Sequence, residues 1–590
     1  MKEQAANAKI TTKLMFRLLP VQVLLGAVTA VNGIISSFFA SNYVGVNAMS
    51  AVGLYSPINM LITAVGLMLM GGSVILCGKY MGKNQLERMQ NVFSLDLVLS
   101  ALIAALFILL YVFFAAFDLT GIFTKDAAVR PLFNQYILGQ AIGLFPLLLA
   151  NQLPAFLAME NKGRRTIEAS FVFVAVNVLL NYLFVQLLHM EAFGLALASS
   201  LGLWVFFGMQ ILPFFSEGAH LRASVRGLQW GESIAIVKTG VPGALSNGYQ
   251  TLRGFIVNHL LEVFVGSVGI SAFATADNVM RIFWSVPMGM VAVSRLLISV
   301  SIGEEDRQTL TDIMRVVFSR YVPLMCSICA MIILCSVPIT RLFYRDPAEP
   351  VYMMTAWGLR LLPLCMPMSI LCMHFTCYGQ ASGKQGLVHV LSVLDGVVCV
   401  AGFTALLIRA AGMNSVYYAN ILNGTVSVLV IIAYAWWRNR RFPRNIGELM
   451  VIPRDFGAPE EERMDLTVRR MDEVVSISRE VQAFCLEKGI DRRRAYLAGL
   501  AMEEMAGNIV EHGFRKDKKS HTVDVRVVHK NDDLILRLKD DCVPFDPGER
   551  QRIADPEDVT KNIGLRMVFG FAQEVQYQNI MGLNVLTIRI

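Results

Sequence analysis

Charged residues are scarce in this chain of 590 residues. Asp, Glu, Lys and Arg make up 16% of it and hydrophobic residues 55%, whereas soluble domains are about 25% charged. The scarcity is confined to the front of the chain. Of the 97 charged residues, 52 basic and 45 acidic, 47 lie after residue 450. This split excludes a wholly soluble enzyme and a pure membrane channel, since each would keep one composition throughout.

Several functional patterns are also missing. Eight of the ten cysteines, from Cys77 to Cys399, lie in apolar runs and predict small buried side chains, not a disulfide framework. No GxxxxGK[ST] loop occurs, which argues against an ATP-binding-cassette motor. No cleaved signal peptide is expected at the N-terminus. We find no aromatic and basic patch and expect no nucleic-acid partner.

Long apolar runs dominate the first 440 residues. A bilayer-spanning helix needs about 20 apolar residues, and twelve runs qualify: 14–40, 46–76, 95–117, 132–157, 167–188, 193–215, 234–261, 269–300, 318–342, 352–378, 386–408 and 415–437. Alternate connections are rich in Lys and Arg, as in Lys79, Lys83 and Arg88. The positive-inside rule therefore predicts a multi-pass protein of the lipid bilayer with both termini in the cytoplasm.

An internal repeat runs through these spans. Residues 43–53, YVGVNAMSAVG, align with residues 264–274, FVGSVGISAFA, at an offset of 221, and the same offset takes Gly82 to Gly303. Each repeat contains six spans, so both enter the membrane in the same orientation. Parallel repeats are typical of secondary transporters, whose substrate site lies between the halves. A channel is disfavoured because no selectivity-filter sequence occurs.

The apolar part resembles a known family. The stretch from Met49 to Ile58, the GKYMGKNQLERMQNVFS and ISVSIGEEDR connections, and Asn177 with Asn181 in NVLLNYLFV are similar to multidrug and toxic compound extrusion (MATE) transporters. The resemblance implies export of small organic, often cationic, substrates across a bacterial inner membrane. It also implies antiport with H⁺ or Na⁺. One departure is Ser36, where many members carry an Asp that could bind the coupling cation.

Polar residues within spans are candidates for the transport cavity, because they are costly there without a role. Asp277 and Arg281 lie four apart on one helix face, so they either line the cavity or form a structural ion pair. Asp395 has no obvious local partner. His259 is either a proton relay or a satisfied buried histidine, the second being favoured. The full set of cavity candidates is Ser36, Asn181, His259, Asp277, Arg281 and Asp395.

The chain after residue 440 reads as a separate soluble unit. We predict a cytoplasmic N-terminus at 1–13, membrane repeats at 14–220 and 221–440, a linker at 441–464 and a tail domain at 465–590. Within the tail, strand-like and helix-like runs alternate. Their order predicts an α/β sandwich with a layer of helices on one face of a mixed sheet.

Three motifs in the tail indicate a nucleotide site. Glu504 and Asn508 share one helix face, Asp540 and Asp541 end a strand at a turn, and Gly564 opens a helix. A carboxylate beside an amide oxygen suits Mg²⁺ and phosphoryl transfer. The helix N-terminus suits phosphate.

In that order the motifs resemble the GHKL (histidine kinase-like) ATP-binding fold of the anti-sigma-factor serine-kinase type. The resemblance implies Mg-ATP as cofactor, Asn508 as Mg²⁺ ligand and Glu504 as catalytic base. It further implies that Asp540, at the turn it forms with Asp541, accepts the adenine amino group and that Gly564 belongs to the phosphate lid. The turn departs from D-x-G-x-G, because Cys542 and Pro544 replace both glycines, and Asn562 replaces a lid glycine.

Two functions remain open from the sequence. The first is a MATE-like exporter whose tail binds ATP and regulates transport. The alternative is a transporter-like membrane sensor whose tail is a serine/threonine protein kinase or a protein-binding module for an anti-anti-sigma (STAS-type) or sigma-like partner. Ser36 favours the sensor, and the two-fold repeat with embedded charges favours transport.

Overall fold

A computed structural model describes residues 4–39, 43–44, 46–122, 126, 128–216, 221–224, 227–344, 346–458, 460–514, 521–530, 533–548 and 563–590. The helices of its first part are α1 (Gln4–Phe39), α2 (Val46–Gly82), α3 (Leu86–Ala116), α4 (Val129–Met159), α5 (Arg164–Asn181), α6 (Glu191–Ile211), α7 (Gly231–Phe264), α8 (Ser267–Gly303), α9 (Arg307–Val316), α10 (Val322–Leu334), α11 (Ser336–Phe343), α12 (Pro350–Leu361), α13 (Met366–Ala381), α14 (Gln385–Val393), α15 (Cys399–Ala411), α16 (Asn414–Asn439) and α17 (Ile446–Leu449). Short π-helical or 3₁₀ turns join α9 to α10, α12 to α13 and α14 to α15, so that each pair forms one long segment.

Eleven helical segments of the described chain are long and apolar enough to cross a membrane. The predicted seventh span, 234–261, is the 34-residue helix α7, which does not meet that criterion. Polar residues such as Asn247, Arg253 and Asn258 dilute its apolar run. The twelve predicted spans thus all lie in helices, and the seventh is the most polar of them.

The structure reproduces the internal repeat. Helices α2 and α8 each contain 37 residues and both begin and end 221 positions apart. Gly266, directly before α8, has φ of 84°, a left-handed conformation that glycine adopts without strain. The equivalent Gly45 lies outside the described residues. The two long helices therefore hold matching places in the two repeats.

The tail is a five-stranded sheet with helices on one face. Its elements are β1 (Arg463–Val468), α18 (Met471–Glu487), α19 (Arg492–Asn508), β2 (Val523–Lys530), β3 (Asp533–Asp540), α20 (Ile563–Phe571), β4 (Glu574–Ile580) and β5 (Leu583–Arg589). The strand order is β1-β2-β3-β5-β4. Every pairing in the described sheet is antiparallel.

The prediction of a mixed sheet is therefore wrong. Strands β3 and β4 run in the same direction and are joined through α20, but β5 lies between them. Because β4 and β5 form a hairpin, β5 reverses direction and pairs antiparallel with both neighbours. The connection through α20 therefore joins two strands of the same direction that are separated by β5, so it produces no parallel pair.

The two faces of the sheet have different chemistry because side chains alternate along a strand. Leu534, Leu536 and Leu538 of β3 are fully buried beneath the helices. Ile535, Arg537 and Lys539 point to the opposite face. That face lies against the ends of α2 and α8 at Gly82 and Gly303. We call this end of the helical bundle the tail side and the other end the far side.

Candidate transport cavity and nucleotide site

Helices α2 and α7, one from each repeat, are in backbone contact near the tail side. A Cβ atom placed on Gly72 of α2 would lie 2.0 Å from the carbonyl oxygen of Ile236 on α7, and one on Gly240 would lie 1.8 Å from that of Met68. Further along the same helices, a Cβ on Gly53 or Gly254 would meet nothing within 4 Å. The repeats thus form a wedge that is in backbone contact near the tail. Further along, α2 and α7 meet through side chains, as at Met60 and Thr251, and open space lies beside Gly53 and Gly254.

A neutral polar cluster lies within the first repeat. Ser36 of α1 and Ser199 of α6 have hydroxyl oxygens 3.4 Å apart, and Asn177 donates its side-chain amide to Ser199 at 3.4 Å. Asn181 donates to the carbonyl and side-chain oxygens of Asn177, both at 2.8 Å. Both asparagines are fully buried. None of these four side chains can gain or lose a proton near neutral pH.

The structure therefore brings together two predicted residues, Ser36 and Asn181, with two that the prediction did not include as site residues. Asn177 was visible in the same motif, four residues before Asn181. Ser199 lies on another helix, and no local signal marks it. The side-chain oxygen of Asn181 is buried without a hydrogen-bond partner in the described structure.

Asp395 is a carboxylate within the second repeat. It lies in the π-helical turn Leu394–Val398, and its Oδ1 atom accepts a hydrogen bond of 2.7 Å from Asn423 of α16. Its backbone carbonyl accepts one of 3.3 Å from Arg253 of α7. Asp395 has no local partner, as expected, because its partners come from distant helices.

The other predicted cavity residues divide into two cases. Asp277 and Arg281 form an ion pair of 3.1 Å one turn apart on α8. His259 of α7 is exposed, so its interpretation as a buried histidine is wrong. That interpretation fits His374 instead, whose two ring nitrogens lie 2.7 Å from the Ile370 carbonyl and 2.9 Å from the Ser294 hydroxyl.

A further buried carboxylate was missed. Asp96 of α3 is fully buried and accepts a hydrogen bond of 2.7 Å from Ser73 of α2. Its Oδ2 atom has no partner in the described structure. A single acidic residue inside the apolar run of α3 was the signal that could have identified it.

In the tail, the structure brings Glu504 to Gly564. Asp491 caps the N-terminus of α19 by accepting from the amides of Arg493 and Arg494, and Glu504 and Asn508 occupy the last turns of this helix. A Cβ atom on Gly564 would lie 1.7 Å from the Glu504 carboxylate. The carboxylate thus packs on the backbone at the beginning of α20, and Asn508 adds an amide oxygen one turn away. This oxygen set fits Mg²⁺, and the backbone amides at the beginning of α20 fit phosphate.

Asp540 ends β3 and is buried. Its Oδ1 atom accepts hydrogen bonds from the Cys542 amide at 2.9 Å and from the Asn584 side chain at 2.7 Å. Burial raises the pKa of Asp540 above its usual value, although these two donors oppose the shift. The adjoining Cys542 does not have a positive φ, so replacing that glycine does not strain the turn. Asn562 lies outside the described residues.

Asp541 contacts the membrane half. Its two oxygens accept from Lys13 of α1, in an ion pair, and from Nδ1 of His521 at 2.7 Å. Burial raises the pKa of Asp541, but Lys13 and His521 outweigh it and hold the pKa below its usual value. His521, Asp541 and Cys542 have ligand atoms within 4.8 Å of one another.

Comparison with known proteins identifies the helical part. A family model described as MatE matches residues 24–183 and 242–402, one stretch in each repeat and together more than half of the chain. The chain belongs to the MATE family. A second model, histidine kinase-like ATPase domain, matches residues 468–590, so this MATE protein carries such a domain at its C-terminal end.

Curated relatives match part of the transporter. "Probable multidrug resistance protein NorM" of Streptococcus pneumoniae (strain ATCC BAA-255 / R6) is 21% identical over 264 residues, which is 43% of this chain and 56% of that protein. "Protein DETOXIFICATION 39" of Arabidopsis thaliana is 24% identical over 299 residues, 50% of this chain and 56% of that protein. The chain therefore spans little more than half the length of these relatives.

Solved structures confirm the predicted fold of the membrane half. "Crystal structure of MATE in the straight conformation" has a TM-score of 0.67 and 20% identity, covering 75% of this chain and 97% of that one. "Outward-facing conformation of a multidrug resistance MATE family transporter of the MOP superfamily" has a TM-score of 0.66 with the same identity and coverage. At this identity the likeness establishes the fold alone.

Proposed function

We propose that this MATE protein is a cation-coupled secondary exporter of small organic, often cationic, compounds in a bacterial inner membrane. The wedge between the repeats carries the proposal, because backbone contact near the tail and open space beside Gly53 and Gly254 further along suit a cleft that opens alternately to either side. Basic connections on the tail side, such as Lys79 and Lys83, favour a cytoplasmic location for both termini. The far side then faces outward, and the cleft is open to the outside.

The coupling cation, H⁺ or Na⁺, is proposed to bind at Asp395. The cluster around Ser36 and Asn181 holds no carboxylate, so it cannot release a proton when the cleft changes sides. Asp395 can, and Asn423 with Arg253 gives it polar neighbours within the second repeat. Coupling would thus have moved from one repeat to the other.

This role is tested by transport in proteoliposomes with an imposed pH or Na⁺ gradient and a panel of fluorescent organic cations. We expect Asp395→Asn to reduce gradient-driven export at least about tenfold, because the amide keeps the shape but cannot change charge. Ser36→Ala is the matched control and should keep its dependence on the gradient. Equal export by Asp395→Asn and the unaltered chain at several pH values would exclude Asp395 as the coupling site.

For the tail we propose Mg-ATP binding that regulates the transporter. Glu504 would act as base, Asn508 would hold Mg²⁺, and Asp540 would accept the adenine amino group. When bound, Mg²⁺ would neutralise phosphate charge. Titration of Mg-ATP into the full chain in detergent should give saturable binding that Asn508→Ala abolishes. Heat release that is the same in both proteins would contradict the site.

The neutral cluster at Ser36 supports a second candidate, a sensor that binds a compound without moving it. Its tail would phosphorylate, or bind, an anti-anti-sigma (STAS-type) or sigma-like protein. The variant Glu504→Gln separates the two candidates. A regulatory tail predicts altered transport in this variant, whereas a sensor predicts unchanged solute movement and loss of partner phosphorylation.

A further inference from the structure

The hydrophilic face of the tail sheet contacts both repeats of the transporter. On the first repeat it reaches three places. Gln578 of β4 forms a hydrogen bond with Asn84, in the connection between α2 and α3. Lys13 of α1 forms the ion pair with Asp541. The turn between β4 and β5 lies against α1 and the connection after α4, because a Cβ on Gly582 would be 2.8 Å from the side-chain oxygen of Asn161.

On the second repeat the sheet contacts the connection between α8 and α9 through buried charges. Lys539 of β3 bonds to Glu304 at 2.6 Å, and Arg526 of β2 bonds to Asp306 at 2.5 Å. Glu304 and Asp306 expose only 4% and 1% of their side chains. Burial opposes ionisation of Asp306, but Arg526 and Lys539 outweigh it and hold its pKa far below the usual value. These carboxylates therefore depend on the tail for their charge partners.

The same two connections flank the closed end of the wedge. Helices α2 and α8 cross there, since a Cβ on Gly82 would lie 2.3 Å from the Val300 carbonyl and one on Gly303 would lie 2.2 Å from the Lys79 carbonyl. Asn84 lies two residues after Gly82 and Glu304 directly follows Gly303, one in each repeat. Separation of α2 from α8 must move Asn84 away from Glu304. A rigid sheet bonded to both resists that movement.

We propose that the tail is an autoinhibitory clamp that holds the tail side of the transporter closed. Opening of the cleft towards the tail requires the sheet to leave at least one repeat, so the docked tail stabilises the outward-open state and slows turnover. The turn that follows Asp540 connects the clamp to the nucleotide site, because Asp541 in that turn binds Lys13 of α1. The clamp specifies how the tail would regulate the transporter. Only its effect on turnover rests on the proposed export function.

The clamp can be tested without substrate or ATP. Ser299 of α8 is fully buried at the crossing, where a Cβ on Gly78 would lie 2.7 Å from its Cβ, and Ser299→Cys supplies a thiol at this position. The rate at which a water-soluble maleimide labels this thiol in the purified full chain reports opening of the crossing. The exposed native Cys335, directly after the membrane-crossing segment Arg307–Leu334, gives an internal reference, resolved by peptide mass spectrometry.

Into this background we would introduce Lys539→Glu, which places a third carboxylate beside Glu304 and Asp306. We expect labelling of the Ser299→Cys thiol to accelerate about tenfold, and Glu304→Lys in the same chain to reverse most of that increase. Arg479→Glu, the same charge reversal at an exposed site on α18, should change nothing. Labelling that stays slow with Lys539→Glu overturns the clamp, because the docked sheet would then tolerate opposed charges at contact distance. Fast labelling with no gain in transport would leave the clamp standing and count against the exporter.

Discussion

At the scale of single residues, Gly564 shows how the nucleotide site depends on a missing side chain. The Glu504 carboxylate occupies the place where a Cβ would stand. A carboxylate at the beginning of a helix is favoured by the unpaired amides there. The same amides are the expected phosphate donors, so Glu504 lies where the proposed base would meet the terminal phosphate.

We predict that Gly564→Ala weakens Mg-ATP binding by about tenfold or more, because the added methyl group displaces Glu504 and the start of α20. Calorimetric titration of the full chain measures the dissociation constant. Gly570→Ala is a matched control in the same helix, since a Cβ there meets nothing within 4 Å. Equal affinity in both variants would contradict the assignment of Gly564 to the site.

The proximity of candidate residues was predictable where the partners are close in sequence. Glu504 and Asn508 are four apart on one helix, and helical periodicity alone places them together. The Asp277 and Arg281 pair followed from the same rule. By contrast, Asn423 is 28 positions from Asp395 and Lys13 is 528 from Asp541. Only the packing of whole elements brings those partners together. The sequence therefore predicted ATP binding for Asp541 but not its ion pair with Lys13.

At the scale of elements, glycines determine how closely the long helices approach. Backbone contacts at Gly72, Gly82 and Gly303 leave no room for a methyl group between repeats. Close approach of this kind is common where membrane helices pack through small residues. The helices that carry these glycines are the ones that must separate when the cleft changes sides.

We predict that Gly72→Ala destabilises the protein by about 1 to 3 kcal/mol, because its methyl group would overlap the Ile236 carbonyl. A thermal unfolding scan in detergent should show a lower midpoint. The preceding Gly71 provides the control, as a Cβ there meets nothing within 4 Å. An alanine at Gly71 should leave the midpoint unchanged or slightly higher. Equal midpoints for the two variants would argue against a tight crossing.

Elements with strong periodicity were predicted well. The twelve apolar runs all lie in helices, and the tail contains both strands and helices, as its alternating runs predicted. Strand direction was not predictable, because it depends on where β5 inserts relative to β3 and β4. The contact of the tail sheet with the bundle was also not predictable from the sequence. The charged residues of that face alternate along the strands as they would on an ordinary solvated face: Asp524, Arg526, Arg537 and Lys539.

At the scale of the whole molecule, docking of the tail should depend on pH. Asp524 of β2 lines a cavity of about 80 Å³ between the sheet and the α8–α9 connection. Burial raises its pKa to about 7, although a hydrogen bond from Thr467 and the charges of Lys539 and Arg526 oppose the shift. The docked state therefore binds this proton more tightly than an undocked tail, whose Asp524 titrates near its usual value.

The free energy of docking should accordingly weaken by roughly 1 to 3 kcal/mol in total as the pH rises from about 4 to about 7. Above that range it should stay constant. In the Ser299→Cys chain, maleimide labelling relative to Cys335 should accelerate over this range. Asp524→Asn should remove most of the acceleration, whereas Asp455→Asn, at an exposed site in the connector, should retain it. A pH profile that is identical in both variants would exclude Asp524 as its source.

The covered hydrophilic face of the tail sheet has a consequence for any protein that recognises it. Such a protein competes with Glu304 and Asp306 for the same basic side chains, so it binds only the released tail. Docking lowers the affinity of the tail for that protein. By thermodynamic reciprocity, binding of the protein lowers the stability of docking by the same free energy. The cellular concentration of a competing partner would then set the fraction of transporters able to cycle, by mass action alone.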